Sequence, residues 1–264
     1  MNLTDLHSHL MPGVDDGAQS VGESREALSA MYADGVRSIV TTPHLNGSLT
    51  LDPVALAARL EELDAGWRAL EAVAADAAFA GLTVARGVEL MLDTPTVDLS
   101  DPRLRLAGGP FVLLEFPFMT VPPQSARALA AIRAAGWFPI VAHPERYTGV
   151  DAELEIARQW REAGAYLQVN AASLLGRYGG GAQRIAVELL GRGWADLIAS
   201  DYHARGRPRL REARELIQGM GGGDQAELLM ELNPARVAAG ELPFPVPPLR
   251  QRRTLLSRIL GVFR

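Results

Sequence analysis

His7, His9, His44, His143 and His203 are the only histidines in this chain of 264 residues, and each sits at or just beyond the end of a short apolar or β-branched run. In an extended segment, residues i and i+2 point to the same side. His7 and His9 can therefore reach one ion together, as can Asp201 and His203. Glu89 and Glu115 close otherwise apolar runs, where a buried carboxylate without a partner costs several kcal/mol. A cation would compensate that cost, and an ion pair with a neighbouring Arg is the alternative. Asp15-Asp16-Gly17 has the residues of a turn, and Asp is also a hard oxygen donor for a metal. His7, His9, Asp16, His44, Glu89, Glu115, His143, Asp201 and His203 are more donors than one ion of about four to six ligands can use, so two or three divalent ions are expected. Imidazole mixed with carboxylate and no thiolate suits manganese, iron or zinc, and carboxylates also suit magnesium.

Short strands alternating with longer helical stretches are expected to position these donors. Seven strands are read over 3–7, 38–42, 83–89, 111–116, 138–143, 165–170 and 196–201. Helices are read over 23–34, 53–78, 125–135, 152–163 and 183–191, with Gly35, Gly136, Gly164 and Gly193 as C-terminal stops. One or two more helices are expected over 208–231. Polar residues gather at the carboxyl end of nearly every strand. In a closed β/α barrel those ends form one face, whereas an open doubly wound sheet would concentrate them at a single switch point. The expected fold is therefore a closed α/β barrel.

Composition removes several chemistries. The chain has no Cys and no Lys, so a thiolate nucleophile, a zinc–thiolate cluster, a Schiff base and a Walker-A lysine are all excluded. With 31 acidic and 26 basic residues and a net charge of −5, it is not built to grip nucleic-acid backbones. No apolar run approaches the roughly 20 residues that span a bilayer, and no secretory signal opens the sequence, so a cytoplasmic location is the expectation. Pro243, Pro245, Pro247 and Pro248 mark a composition shift. They divide the chain into residues 1–242 and a Pro-rich spacer with a basic amphipathic C-terminal helix, 243–264. The last segment, 249–264, carries five Arg and no acid, with Leu256, Ile259, Leu260 and Phe263 at helical spacing. It can lie on an anionic membrane surface, or pack against the barrel or a second subunit.

The motifs carry a resemblance. The opening Asp5-Leu6-His7-Ser8-His9-Leu10-Met11-Pro12-Gly13-Val14-Asp15-Asp16-Gly17-Ala18 is similar to that of the PHP (polymerase and histidinol phosphatase) superfamily. More narrowly, it resembles the CpsB/CapC (YwqE-like) group of bacterial manganese-dependent protein-tyrosine phosphatases. Thr42-Pro43-His44, Gly87-Val88-Glu89, Leu114-Glu115-Phe116, Ala142-His143-Pro144-Glu145-Arg146-Tyr147, Gln168-Val169-Asn170, Ser200-Asp201-Tyr202-His203 and Gly206-Arg207-Pro208 continue it in order over about residues 1–240. The resemblance implies a distorted (β/α)7 barrel, TIM-barrel-like, in a single domain. It further implies that His7, His9, Glu89 and Asp201 hold one ion, that Glu89 bridges to a second held also by Glu115 and His143, and that Asp16, His44 and His203 hold the third. Arg146 and Arg207 match arginines that face the substrate phosphate, with His44 and His203 able to assist proton transfer. Tyr202 stands where relatives often carry a smaller or thioether side chain.

The donors themselves point to phosphoester hydrolysis at a multinuclear metal site, and the resemblance supplies a substrate. That substrate is tyrosine-phosphorylated protein, in particular the tail of a bacterial tyrosine autokinase involved in capsule or exopolysaccharide biosynthesis. A tyrosine leaving group, with a pKa near 10, needs little help from a general acid. The alternatives are a small-molecule phosphatase of the histidinol-phosphate kind and a non-catalytic, metal-dependent binding module. With the C-terminal helix on lipid, the expected location becomes peripheral at the inner membrane.

Overall fold

The computed structural model describes residues 2–249. The chain runs β1 (Leu3–Asp5), α1 (Val21–Ala33), β2 (Val36–Thr41), β3 (His44–Asn46), α2 (Pro53–Ala74), β4 (Thr83–Arg86), β5 (Glu89–Met91) and β6 (Phe111–Glu115). It continues through α3 (Ser125–Ala134), β7 (Phe138–Ala142), α4 (Glu155–Glu162), β8 (Tyr166–Asn170), α5 (Ala171–Leu174), α6 (Gly179–Arg192) and β9 (Leu197–Ala199). The last elements among the described residues are α7 (Leu210–Gly219), α8 (Gly223–Glu227), a π-helical turn Leu228–Leu232 and α9 (Asn233–Ala238).

The strands pair in parallel, three in the order β1-β2-β4 and six in the order β3-β5-β6-β7-β8-β9. β3 prolongs β2 and β5 prolongs β4, so nine segments make seven staves. Pro43, which lacks a ladder donor, interrupts the first, and Gly87-Val88 interrupts the second. The Gly87 amide bonds Thr41 O at 2.9 Å and the Glu89 amide bonds Pro43 O at 3.1 Å, which carries the register across both breaks. Beyond β1 the chain closes the ring. Ser8 bridges Tyr202 in parallel, the Asp201 amide donates to His7 O at 2.9 Å and the His9 amide to Tyr202 O at 2.9 Å. The architecture is the distorted seven-stranded α/β barrel expected from the motifs.

Alternation along the strands divides the apolar residues between two layers. Leu6, Val40, Phe111, Leu113, Ile140 and Leu197 fill the barrel interior. Leu3, Ile39, Val112, Leu114, Val141, Leu167 and Ile198 face outward beneath the helices. In phase with Phe111 and Leu113 comes Glu115, so the same alternation that builds the core brings a carboxylate inward at its upper end. Val237 of α9 joins the interior cluster from below, where Asn233 Nδ2 donates to Asp196 O at 3.1 Å just ahead of β9.

Local signals start the helices. Ser20 caps α1 by accepting the Glu23 amide, and Asp52 caps α2 ahead of Pro53 at its first position; such caps contribute about 1 kcal/mol each. Three helix bounds differ from the expectation by three residues or more. α2 ends at Ala74 because Asp76 accepts the Ala78 amide and opens a separate turn. α4 begins at Glu155, after Leu154 takes φ 58°. α6 starts at Gly179, taking three glycines into its first turn. Gly35, Gly136, Gly164 and Gly193 all adopt positive φ, as helix stops require. The Pro-rich stretch lies along the barrel base up to Leu249. The Phe244 amide bonds Asn233 Oδ1 at 2.7 Å, and the Leu249 amide bonds Leu190 O at 2.9 Å. The amphipathic helix expected at the C-terminus lies, beyond Leu249, outside the described residues.

Candidate metal centre and substrate mouth

Every proposed donor except Asp16 comes from the carboxyl end of a stave. His7 and His9 follow β1, His44 and Glu89 open β3 and β5 beyond the two breaks, Glu115 ends β6, His143 follows β7, and Asp201 and His203 follow β9. His143 (φ 35°) and Asp201 (φ 53°) take the left-handed region as the chain turns out of its strand. For non-glycine residues this costs on the order of 1–3 kcal/mol, a strain that gathers at functional sites. The Asp15-Asp16-Gly17 turn is pressed against His9, and a Cβ at Gly17 would stand 2.1 Å from His9 O, so only glycine fits there. Tyr147 ties the loop after β7 to the one after β6 by accepting the Phe116 amide at 3.0 Å, its buried ring packed on Phe116 and Trp160.

At the floor, His7 Nε2 lies 3.1 Å from Glu89 Oε2 and 3.3 Å from Asp201 Oδ1, and His9 Nε2 lies 3.5 Å from each of the same two oxygens. The two Nε2 atoms are 3.3 Å apart. Their other ring nitrogens are committed. His7 Nδ1 meets Gln168 Oε1 at 2.8 Å, and the Gln168 amide orientation is set because its Nε2 donates to Val169 O. His9 Nδ1 meets Asp15 Oδ2 at 2.7 Å. In neutral rings both Nδ1 atoms then carry the proton and both Nε2 atoms present lone pairs. Four acceptors converge with no donor among them, and among the described residues buried Glu89 Oε2 has no hydrogen-bond partner. A divalent cation fits this donor set, and Gln168 and Asp15 are the outer partners that orient its imidazoles. The alternative reading of Glu89 and Glu115 as ion pairs with Arg does not hold, since among the described residues both carboxylates face histidines.

Two further groups adjoin the first. His44, Glu89 and Glu115 form one, with His44 Nδ1 at 3.2 and 3.1 Å from the two carboxylates. His9, Asp16, His44 and His203 form the other. In it, Asp16 Oδ1 lies 3.4 Å from His44 Nε2 and 3.3 Å from His203 Nε2, while His203 Nδ1 bonds the Asp201 carbonyl at 2.9 Å. His143 stands apart from these groups. Its Nε2 meets the other Glu89 oxygen, Oε1, at 3.0 Å, so the structure brings His44 rather than His143 between Glu89 and Glu115. Asp15 is outside the donor groups too, saturated by His9, the Gly17 amide and the His44 amide.

The electrostatics follow from this crowding. Burial opposes charge on His7, but Glu89 and Asp201 outweigh it and push the imidazole up to about 9. His9 is raised well above its ordinary value, burial being overcome by its bond to Asp15 and by the nearby Asp201 and Glu89 carboxylates. Against the same opposing burial, His7 and its neighbours hold Glu89 and Asp201 well below the carboxylate range. His203 moves the other way, lowered by burial and by the charge of His9. Metal binding at such a site displaces the protons that otherwise offset the carboxylates.

Above the floor opens a cavity of about 460 Å³ lined by Asp16, Asp201 and His203 below and by five arginines around its wall. Arg146 Nη1 donates to Asp201 Oδ2 at 2.6 Å, and its guanidinium stacks 4.2 Å from the Tyr178 ring. Asn170 Nδ2 reaches the same oxygen at 3.0 Å. Arg207 lies on the rim, its side chain 72% exposed and 3.4 Å from Glu212. Sequence reasoning left Asp15 open between turn and ligand, and assigned no role to Gln168, Asn170 or Tyr178. Gln168 and Asn170 carried a signal, two polar residues at period 2 in an apolar strand, whereas Tyr178 carried none.

Fold and site together define an α/β-barrel protein with a histidine–carboxylate centre suited to several divalent ions at the strand carboxyl ends. The family model for capsular polysaccharide synthesis, CpsB/CapC, matches residues 3–239, and the chain belongs to that family. It is 27% identical over 205 residues to the putative tyrosine-protein phosphatase CapC of Staphylococcus aureus, covering 76% of this chain and 77% of that one. Tyrosine-protein phosphatase CpsB of Streptococcus pneumoniae is 26% identical over 249 residues, 91% of this chain and 100% of that one. Among solved structures, one from work on YwqE of Bacillus subtilis and CpsB of Streptococcus pneumoniae, described as unique metal-dependent tyrosine phosphatases, superposes with a TM-score of 0.75. It is 25% identical and covers 94% of this chain and 100% of that one.

Proposed function

We propose that the protein is a metal-dependent phosphatase that hydrolyses phosphotyrosine on protein substrates. The observation that carries this reading is the convergence of His7 Nε2, His9 Nε2, Glu89 Oε2 and Asp201 Oδ1 beneath an arginine-lined cavity. Membership in a family whose members are named tyrosine-protein phosphatases supports it.

In this reading His7, His9, Glu89 and Asp201 hold one ion. Glu89 and Glu115 hold a second, with His143 on the far oxygen of Glu89 and His44 within reach. Asp16, His44 and His203 hold a third, and the resemblance makes manganese the proposed metal, with iron, zinc or magnesium suiting the same donors. Bound divalent ions supply acidification of water and neutralisation of phosphoryl charge. The chain's own residues do the rest. Arg146, fixed by Asp201 and Tyr178, presents a guanidinium to the phosphoryl oxygens in the fork geometry that Arg provides, and Arg207 approaches from the rim. His203, whose proton sits on Nδ1 against the Asp201 carbonyl, and His44 offer Nε2 to the third ion, and where that ion is not bound the same Nε2 atoms are placed to accept or return a proton at the departing phenolate. A chain without Cys has no cysteinyl-phosphate route.

The proposed partner is the phosphorylated tail of a bacterial tyrosine autokinase, and the proposed location is the cytoplasm at the inner membrane, with 249–264 on anionic lipid. No helix among the described residues is long and apolar enough to cross a membrane. Leu249 is bonded to Leu190 at the base of the barrel, so a lipid-bound tail leaves the opposite, donor-lined face free. Hydrolysis of an aryl phosphate with manganese, with chelator, and then of phosphotyrosine peptides against histidinol phosphate tests the reading. Chelator-sensitive turnover with preference for the peptides is expected. Preference for histidinol phosphate, or an inert metal-loaded protein, overturns it.

A further inference from the structure

The mouth holds more positive charge than one phosphoryl group needs. Arg146, Arg177, Arg205, Arg207 and Arg209 line a single cavity in a chain whose net charge is −5. Three of them are committed, Arg146 to Asp201 at 2.6 Å, and Arg207 and Arg209 to the shared Glu212 at 3.4 and 3.0 Å. Arg177 and Arg205 differ. Both are exposed, and among the described residues neither side chain makes an ion pair or donates a hydrogen bond. Like charges gathered in one concave site repel each other, and an anion between them relieves the repulsion. Arg177 immediately precedes Tyr178, the ring on which Arg146 stacks, and Arg205 lies on the loop that Ala204 (φ 56°) and Gly206 (φ 74°) turn back toward the rim. The two free guanidiniums thus approach the cavity from separate loops, after α5 and after β9.

We propose that Arg177 and Arg205 form a second anion subsite, which binds an acidic or phosphorylated side chain of the substrate beside the phosphotyrosine being hydrolysed. The proposal rests on the tyrosine-phosphatase reading. Carboxylate and phosphate share the chemistry that a guanidinium fork recognises, and the two sources separate in the test. The preferred substrates are therefore phosphotyrosine peptides with an anionic neighbour, and exposed contacts of this kind act through encounter and orientation more than through buried pairing.

The experiment measures kcat/KM for the manganese-loaded full chain on four substrates. These are N-acetyl-phosphotyrosine amide, a phosphotyrosine peptide with neutral neighbours, the same peptide with Asp and Glu neighbours, and the same peptide with a second phosphotyrosine. The wild type is expected to favour one or both anionic peptides over the neutral one by about tenfold, chiefly through KM and less at high salt. The larger of the two preferences names the source. In Arg177→Gln/Arg205→Gln the preference should fall to about twofold or less, with the rate on the amide and the melting temperature unchanged. Equal wild-type rates on all three peptides, or an equal loss on all substrates in the double variant, overturns the subsite. No turnover of the amide by the wild type overturns the phosphatase reading itself.

Discussion

Asp64, Asp101, Arg86 and Arg103 form a cluster of opposite charges on the outer wall, and the histidine–carboxylate floor of the mouth forms another. On the wall every charge has its complement. Asp64 accepts from Arg86 at 2.5 Å through one oxygen and from Arg103 at 2.9 Å through the other, and Arg103 also binds Asp101 at 2.6 Å. At the floor, once His7 and His9 are neutral as metal ligation requires, acceptors face acceptors, and only protons on those two rings otherwise offset the carboxylates. What separates a structural ion network from a functional one is whether donors and acceptors balance, and not how many charges meet. Imbalance in a buried site calls for a ligand of the missing sign.

Glu89→Gln breaks the comparison most severely, because Glu89 belongs to two of the donor groups. We expect kcat on an aryl phosphate to fall on the order of a thousandfold, roughly 4 kcal/mol of barrier. A variant keeping a tenth of wild-type turnover with saturating manganese would mean that the imbalance at the floor is not where the chemistry happens. Metal removal follows. A cation at about 1,000 times its Kd stabilises the folded protein by about 4 kcal/mol, which for a chain of this size moves the melting temperature by roughly 10 °C. Calorimetry with manganese and with chelator checks this, and coincident melting curves would count against a metal at the floor.

How far this contrast could be read in advance depends on how local each signal is. The gathering of the five histidines with Glu89, Glu115 and Asp201 was legible because these residue types are costly at the ends of apolar runs, and five histidines all falling there is a pattern that surface histidines do not make; Asp16, in a turn, carried a weak signal alone. The barrel was legible from the same clustering. The breaks at Pro43 and Gly87 were not, because they depend on how neighbouring staves meet, nor was the placing of His44 instead of His143 between Glu89 and Glu115, which is set by loop paths after the strands. Arg177 and Arg205 look like the other arginines in a chain whose every basic residue is Arg. The Pro-rich stretch read as a spacer, yet it is tied to Asn233 and to α6 by contacts across the base that no local pattern announces.

Asp196 is an intermediate case, buried at the base with one cationic partner. Its carboxylate accepts Arg161 at 2.6 Å and the Leu167 amide at 2.9 Å, and burial outweighs both to push it up to about 6. A folded pKa above the unfolded value of 3.8 means that the native state holds the proton more tightly. The associated stability is therefore present below pH 4 and lost as pH rises through 6. Urea denaturation should show the stability of the wild type falling relative to Asp196→Asn by about 2–3 kcal/mol between pH 4 and pH 7. A constant difference would show that Arg161 neutralises Asp196 as completely as the wall arginines neutralise Asp64.

The wall itself should give the smallest response. Asp64 is about a quarter exposed, and its neighbours Arg86 and Arg103 hold its pKa down even though burial acts the other way. Exposed pairs lose most of their Coulomb energy to solvent and to the ordering of long side chains. Asp64→Asn should therefore cost about 1 kcal/mol or less, with kcat on the aryl phosphate unchanged, because Arg103 retains Asp101. The substitution resembles Glu89→Gln, one charge removed from a cluster of several, so any difference in outcome is due to the surroundings. Were Asp64→Asn to lower turnover as Glu89→Gln does, donor balance would lose its value as the criterion that picks the functional cluster out of the two.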